Sequence, residues 1–211
     1  MSAVERMLAG DAGRRPRSDA LRNLERLVTA ARAAIAEDGV EVTAHEIARR
    51  AGVGIGTFYR RVSSREALLY AVLEEVLGEI LATADRALDD PDPWRGFCDF
   101  AAAFVRLRAE SCGVGEALGG ACGPALDRCL GEVRDRVRRL VERAQESGRM
   151  RPDVSWTDVP FLLAGVATGP RTIGLHAGDG QWNRNLRVVL DGLSTPRPAA
   201  LPSTTNAPAQ A

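Results

Sequence analysis

The chain contains no lysine: all 28 of its basic residues are arginine. With its many alanines and glycines this points to a GC-rich genome and says little about function. Aromatic residues make up only 5%, and there are four cysteines. Cys98, Cys112, Cys122 and Cys129 are too sparse for a disulfide framework and lack the C-x-x-C pairs of a structural zinc site, so reduced core thiols are the default. A redox pair of Cys122 and Cys129 across a dimer is the alternative. Only two histidines occur. His45 reads as surface, and His176 has no second histidine at ligand spacing, which argues against a metal site. No run of 18 apolar residues is present, so a membrane-crossing helix is excluded. The first residues carry Glu5, Arg6 and Asp11 without an apolar core, unlike a signal peptide. These absences predict a cytoplasmic chain with no metal, cofactor or membrane partner. A length of 211 residues fits one medium domain, or a small domain fused to a larger one.

The formal net charge is zero, but the charges are unevenly placed. From Arg14 to Arg65 there are 11 arginines and six acids, whereas residues 66–211 hold 16 arginines and 20 acids. A basic N-terminal block on an acidic body is the footprint of a small nucleic-acid-reading module on a larger partner domain. Solvated surface charge is the other reading of the same numbers.

Residues 1–17 lack periodicity and end in Arg14, Arg15 and Arg17, a mobile basic arm. Residues 196–211, with prolines at 196, 198, 202 and 208, read as a disordered tail. Between them the pattern is helical. Leu24, Leu27, Val28, Ala31 and Ile35 mark a first helix, stopped by Gly39. Thr43 and Glu46 form a capping box for a short second helix that ends before Gly52. A third runs from Ile55 to about Arg61. Ser63-Ser64-Arg65-Glu66 opens a long fourth helix that carries Leu69, Leu73, Val76, Ile80, Ala84 and Leu88. Further helices are predicted at about 94–109, 124–147, 155–169 and 181–193. A short one near Glu116 is plausible, and the segment around Gly174, Gly178 and Gly180 reads as a loop. With no strand alternation of useful length, the fold class is all-α with about nine helices. The domains are the arm, residues 18–64, residues 65–195, and the tail.

The informative unit spans Thr43 to Val62. Two short helices can cross steeply where a turn residue accepts positive φ and the inner face is apolar, and Gly52, Ile47, Ala48, Val53 and Phe58 occupy those places. Ile55, Thr57, Tyr59, Arg60 and Arg61 are left for the outer face and ends of the second of them, the helix able to enter a DNA major groove. The stretch Ile47-Ala48-Arg49-Arg50-Ala51-Gly52-Val53-Gly54-Ile55-Gly56-Thr57-Phe58-Tyr59-Arg60-Arg61-Val62-Ser63-Ser64-Arg65-Glu66-Ala67-Leu68, with its flanking helices, resembles the TetR family of bacterial one-component regulators. The resemblance implies a three-helix helix-turn-helix DNA-binding domain followed by a larger helical ligand-binding and dimerisation domain.

Carried onto this chain, the resemblance makes Arg17, Thr43, Ile55, Gly56, Thr57, Tyr59, Arg60 and Arg65 the DNA-binding residues. Thr43, at a helix N-terminus, would meet a phosphate. Thr57 and Tyr59 would reach phosphates or base edges, and Arg60 has the fork to read guanine. Arg65 stands where the family usually has a lysine phosphate clamp. Gly54 and Ile55 replace a usual Ser and Lys, removing a cap and a phosphate contact, and Val62 replaces a usual aromatic.

For the body, the family implies a pocket for a small-molecule ligand. Trp94, Phe97, Phe100, Phe104, Cys112, Trp156, Phe161, Arg171 and His176 are the candidate lining residues. Plain core is the alternative for each aromatic. Phe161, Leu162, Val166, Trp182, Leu186, Val189 and Leu193 are the candidates for a homodimer interface built from the last two helices. Two-fold symmetry would then call for double-stranded DNA with a palindromic operator. The implied function is a repressor released by ligand; an activator, or a regulator needing a co-ligand, is the alternative. An enzyme is a poorer reading: Gly113-Val114-Gly115 follows no strand, no G-x-S-x-G occurs, and two histidines build no catalytic set. An architectural DNA binder would need a broad basic surface that the acidic body lacks.

Overall fold

The computed structural model describes residues 18–39, 41–109, 124–166 and 171–194. The basic arm with Arg17, the residues Cys112 and Cys122, the short helix near Glu116, the side chain of Arg171 and the C-terminal tail lie outside the described residues. Among those described, eight helices dominate: α1 (Ser18–Asp38), α2 (Ala44–Ala51), α3 (Ile55–Arg61), α4 (Arg65–Leu88), α5 (Pro93–Ala109), α6 (Pro124–Glu146), α7 (Asp158–Val166) and α8 (Gln181–Leu193). The fold is all-α apart from a small hairpin, in which β1 (Arg171–Thr172) pairs antiparallel with β2 (Leu175–His176). Sequence composition marked this segment as a loop. Ile173 and Gly174 both take positive φ, 41° and 80°, which is the twist a two-residue hairpin turn requires.

The described chain divides into two compact units, with the divisions inside α4 after Glu79 and inside α6 after Gly131. In the first, α1 packs on α2 and α3, and α2 on α3. Leu24, Leu27, Ile35, Ile47, Phe58 and Leu68 are fully buried there. These are the apolar positions that recur at three- and four-residue steps, one stripe per helix. The α1 helix stops where the Gly39 N–H donates to the Ile35 carbonyl at φ +79°.

In the second unit, α5 packs on α7 and α8, and α7 on α8. Its core holds Phe97, Phe100, Val105, Leu140, Val141, Val159, Leu163 and Leu186. Asp92 caps α5 by accepting from the backbone N–H groups of Trp94 and Arg95 at 3.0 and 3.1 Å. Arg143 donates to the Leu88 and Asp90 carbonyls, satisfying acceptors that the end of α4 leaves open. The predicted helix start at Ser155 is displaced to Asp158. Ser155 caps instead, its hydroxyl accepting from the Thr157 N–H and its own N–H donating to the Asp158 carboxylate.

One glycine in this unit permits a close approach. A Cβ on Gly96 would sit 2.3 Å from the Ala87 carbonyl oxygen and 3.1 Å from the Asp90 Cβ, and backbone cannot step aside as a flexible side chain can. Gly96→Ala should therefore cost about 2–3 kcal/mol, a drop on the order of 5–10 °C in the melting temperature. An unchanged thermal melt would mean that the two segments do not approach so closely.

Candidate nucleic-acid interface

Helix α2 opens at Thr43, whose hydroxyl accepts from the Glu46 N–H at 3.2 Å. It closes at Gly52, where φ is +65° and the backbone N–H reaches the Ala48 and Arg49 carbonyls. Only the first half of the anticipated capping box is built in this way. The Glu46 carboxylate turns to arginines, accepting from Arg49 at 2.6 and 2.9 Å and from Arg50 at 2.8 Å. Arg50 also donates to Glu37 and Asp38, both at 2.7 Å, and so clasps α2 to the last turn of α1. The Thr43 hydroxyl retains its own proton for donation outward, as a phosphate contact requires.

Hydrogen bonds from Arg49 and then Arg50 hold the Glu46 carboxyl down to about 2 from the ordinary 4.5. A depressed carboxylate contributes stability that is complete above its unfolded value and is lost as pH falls through its folded value. Glu46→Gln should therefore lower the melting temperature at pH 7, by an amount that shrinks towards zero as the pH is taken down to 2. Melts of both proteins across that range check it; a difference independent of pH would show that the ionised carboxylate is not what matters.

The second short helix, α3, starts at Gly54, which offers no side-chain cap, in agreement with the missing serine. Phe58 and Val62 turn inward and are buried. Phe58 meets the Tyr59 ring edge-on at 5.1 Å. The opposite side presents Gly56, Tyr59 and Arg60 to solvent, with Ile55 and Thr57 half-buried on the flanks. Tyr59 is 56% exposed, a large ring left unburied. The Arg60 Nη2 donates to the Thr57 hydroxyl at 2.9 Å, so two of the anticipated DNA-contacting side chains already touch.

Arg65 is placed differently from a free clamp. Its Nε donates to the Val42 carbonyl and its Nη1 to the Glu66 carboxylate at 3.2 Å, and the side chain is only 23% exposed. The residue thus ties the start of α4 to the segment leading into α2. Sequence spacing could not reveal a side-chain bond to a backbone oxygen 23 residues away. Arg61, which the pattern assigns to the outer face or end of α3, is half-buried at the end of that helix, with a buried Nε that has no hydrogen-bond partner.

The candidates for the body fall into distinct environments. Trp94 is half-buried and stacks on Phe97 at 5.6 Å, while Phe104 lies tilted against Phe100 at 5.9 Å. Phe97 and Phe100 are fully buried in the core; Phe104 and Trp156 are half-buried. A cleft of about 630 Å³ lies beside α8, lined by Ala102, Gln181, Arg184, Arg187 and Val188 among others, and by none of the aromatic candidates. Phe161 is 71% exposed and faces away from the protomer's core: α7 turns Val159, Leu163 and Val166 inward and Phe161 outward. Of the interface candidates, Phe161 and Leu162 are exposed, Trp182 and Val189 half-buried, and Val166, Leu186 and Leu193 are enclosed in the protomer's own core. Val188, not foreseen, is 73% exposed. His45 and His176 are both exposed. Burial raises the Cys98 thiol to about 11, with Asp99 adding to the shift, so it stays protonated and unreactive near neutrality. Among the described residues no group of histidine, cysteine and carboxylate side chains gathers as a metal site. No described helix is long and apolar enough to cross a membrane.

Comparison with known proteins matches both parts of the chain. A model of bacterial regulatory proteins of the tetR family matches residues 27–72, and a model of the C-terminal domain of SbtR-like transcriptional regulators matches residues 92–195. Among solved structures, a TetR transcription regulatory protein from Mycobacterium vanbaalenii is 30% identical with a TM-score of 0.58, over 84% of this chain and 98% of that one. A TetR transcriptional regulator from Streptomyces coelicolor is 27% identical with a TM-score of 0.58, over 84% and 99%. AibR, solved in complex with isovaleryl coenzyme A and operator DNA, shares the fold at 18% identity and a TM-score of 0.64, over 83% and 98%. The comparison with curated proteins found no match.

Proposed function

Because this chain belongs to the TetR family of bacterial transcriptional regulators, we propose that it is a homodimeric repressor, released from a palindromic operator by a small molecule. The observation that carries the DNA side of this reading is the outward face of α3: Gly56, Tyr59 and Arg60 stand exposed on a helix whose other side is fixed by Phe58 and Val62. Thr43 at the start of α2 supplies a phosphate contact, and Arg17 is a further phosphate-contact candidate. In the bound dimer, two copies of α3 lie about one DNA turn apart, roughly 34–36 Å.

The exposed side chains of Phe161, Leu162 and Val188, flanked by half-buried Trp182 and Val189, support dimerisation through α7 and α8. Large apolar groups left in water on neighbouring helices favour burial against a second copy. AibR shows that this fold accommodates both an acyl coenzyme A and operator DNA. For this chain the small-molecule ligand is placed beside the aromatic side of α5, where Trp94 and Phe104 are half-buried. Its effect reaches DNA along α4, a single helix with its first part in one unit and its last part in the other. To empty the operator, the ligand must favour the non-binding state by a few kcal/mol, about 5.5 for a switch from 1:99 to 99:1.

The test is chromatin immunoprecipitation in the native host, followed by deletion of the gene. A few enriched fragments whose transcripts rise on deletion would support the repressor. Falling transcripts would assign an activator, and enrichment spread along the chromosome would overturn specific regulation.

A further inference from the structure

Helix α8 carries three exposed residues along one side. Arg184, Val188 and Asp191 follow at steps of four and three, the spacing that stacks side chains on one helix face, and all three are open to solvent. Leu186, Leu190 and Leu193 fill the opposite side and are buried. The outer side therefore runs basic, apolar, acidic, with Val188 between the charges. Arg184 and Arg187 have no ion-pair partner among the described residues. Both line the cleft of about 630 Å³ beside α8, whose lining includes Val188 and no carboxylate.

Spacing alone does not single out α8. On α6, Arg128 also precedes Asp135 by seven residues, but Glu132 stands between them and Asp135 accepts from Arg138 at 2.8 Å within the helix. Helix α8 differs in both respects: its central residue is apolar, and its arginines are left for a group outside the protomer. The complementary surface is acidic, apolar and basic in that order, which is what a second copy of α8 presents when turned end for end.

That two copies associate is a premise taken from the function proposed above; the charges on α8 add the geometry. In a two-fold interface, if residue i meets residue j then j meets i. An axis running along α8 would set the two helices parallel, each charge against its own copy, and like charges brought together oppose association. An axis crossing α8 sets them antiparallel, with opposite charges facing. We propose that the two-fold axis of the dimer crosses α8 beside Val188, so that Arg184 of each protomer forms an ion pair with Asp191 of the partner subunit. Val188 then packs on Val188 of the partner subunit between the two pairs. The partner's Asp191 brings to the cleft the carboxylate that its lining lacks. Val188 contributes burial, and the charges fix direction and register by penalising the alternatives.

Analytical ultracentrifugation of the full chain tests this, by measuring the dimer dissociation constant of wild type, Arg184→Asp, Asp191→Arg and the variant carrying both. Each single substitution sets two like-charge pairs in the interface and should raise the constant roughly tenfold or more. The double variant, with the signs exchanged, should return to within about threefold of wild type. Equal amounts of the two single variants should also associate as tightly as wild type, because every pair in the mixed dimer is Asp with Arg. A folding defect within one chain is not repaired by mixing it with another.

Single variants that dimerise like wild type would overturn this register while the dimer itself stands. Single variants that dissociate and are not restored by mixing would overturn it as well. A wild-type chain that stays monomeric at every concentration would overturn both the register and the dimer.

Discussion

Phe58→Ala should destabilise the DNA-reading module by about 3–5 kcal/mol and abolish specific binding. The α3 helix has only seven residues, far short of what stands alone in water. Its geometry is therefore imposed by packing, through Phe58 and Val62, both buried and four residues apart. Phe58 is completely enclosed and lies edge-on to Tyr59. Alanine would leave a ring-sized void and free the exposed side of α3 to rotate. Thermal melts and anisotropy on a selected duplex should show both losses together. Wild-type stability with lost binding would mean that Phe58 acts on DNA directly, and no change in either would mean that α3 is held by other contacts.

Arg60→Ala should leave the fold intact and relax discrimination at one base pair of each half-site. A bidentate arginine–guanine contact contributes about 1–3 kcal/mol, and a symmetric dimer on a palindrome makes it twice. The starting point is visible in the structure, where the exposed guanidinium donates to the Thr57 hydroxyl at 2.9 Å. That bond holds the side chain along α3, and under the proposed function the arginine would exchange it for base acceptors on binding. Thr57→Val should accordingly weaken binding less than Arg60→Ala and spare the base preference. Arg65→Ala should behave differently from both. It would weaken all sequences alike and flatten the salt dependence, but it also removes the bond to the Val42 carbonyl and should lower the melting temperature. Binding assays on duplexes altered one base pair at a time separate these outcomes. Uniform loss for Arg60→Ala would reassign it to a phosphate.

How much of this was legible in the sequence depends on how local the cause is. The cap at Thr43, the turn at Gly52 and the inward phase of Phe58 follow from neighbours within one or two turns, and the helix bounds of the first unit fall where the pattern puts them. The Arg50 clasp to Glu37 and Asp38 and the bond from Arg65 to Val42 are tertiary, and spacing along the chain carries no trace of them. Helix α7 shows another limit. Its sequence, Asp158-Val159-Pro160-Phe161-Leu162-Leu163-Ala164-Gly165-Val166, is apolar nearly all round, so periodicity could not decide that Val159, Leu163 and Val166 face the core and Phe161 faces out. On α8 the reverse held. Leu186 and Leu193 are apolar on an amphipathic helix and so resemble an interface in the sequence, but the helix needs those same residues for its own packing, and the exposed apolar edge is Val188.

Selection of bound duplexes from a random pool, at one stated salt concentration, tests most directly whether α3 is a sequence-reading helix in a symmetric dimer. The account predicts a single enriched palindrome whose half-sites are centred about one helical turn apart, 10–10.5 base pairs or a multiple, with guanine at the position where Arg60→Ala loses preference. A pool that emerges without enrichment, or an enriched sequence with no two-fold symmetry, would contradict it.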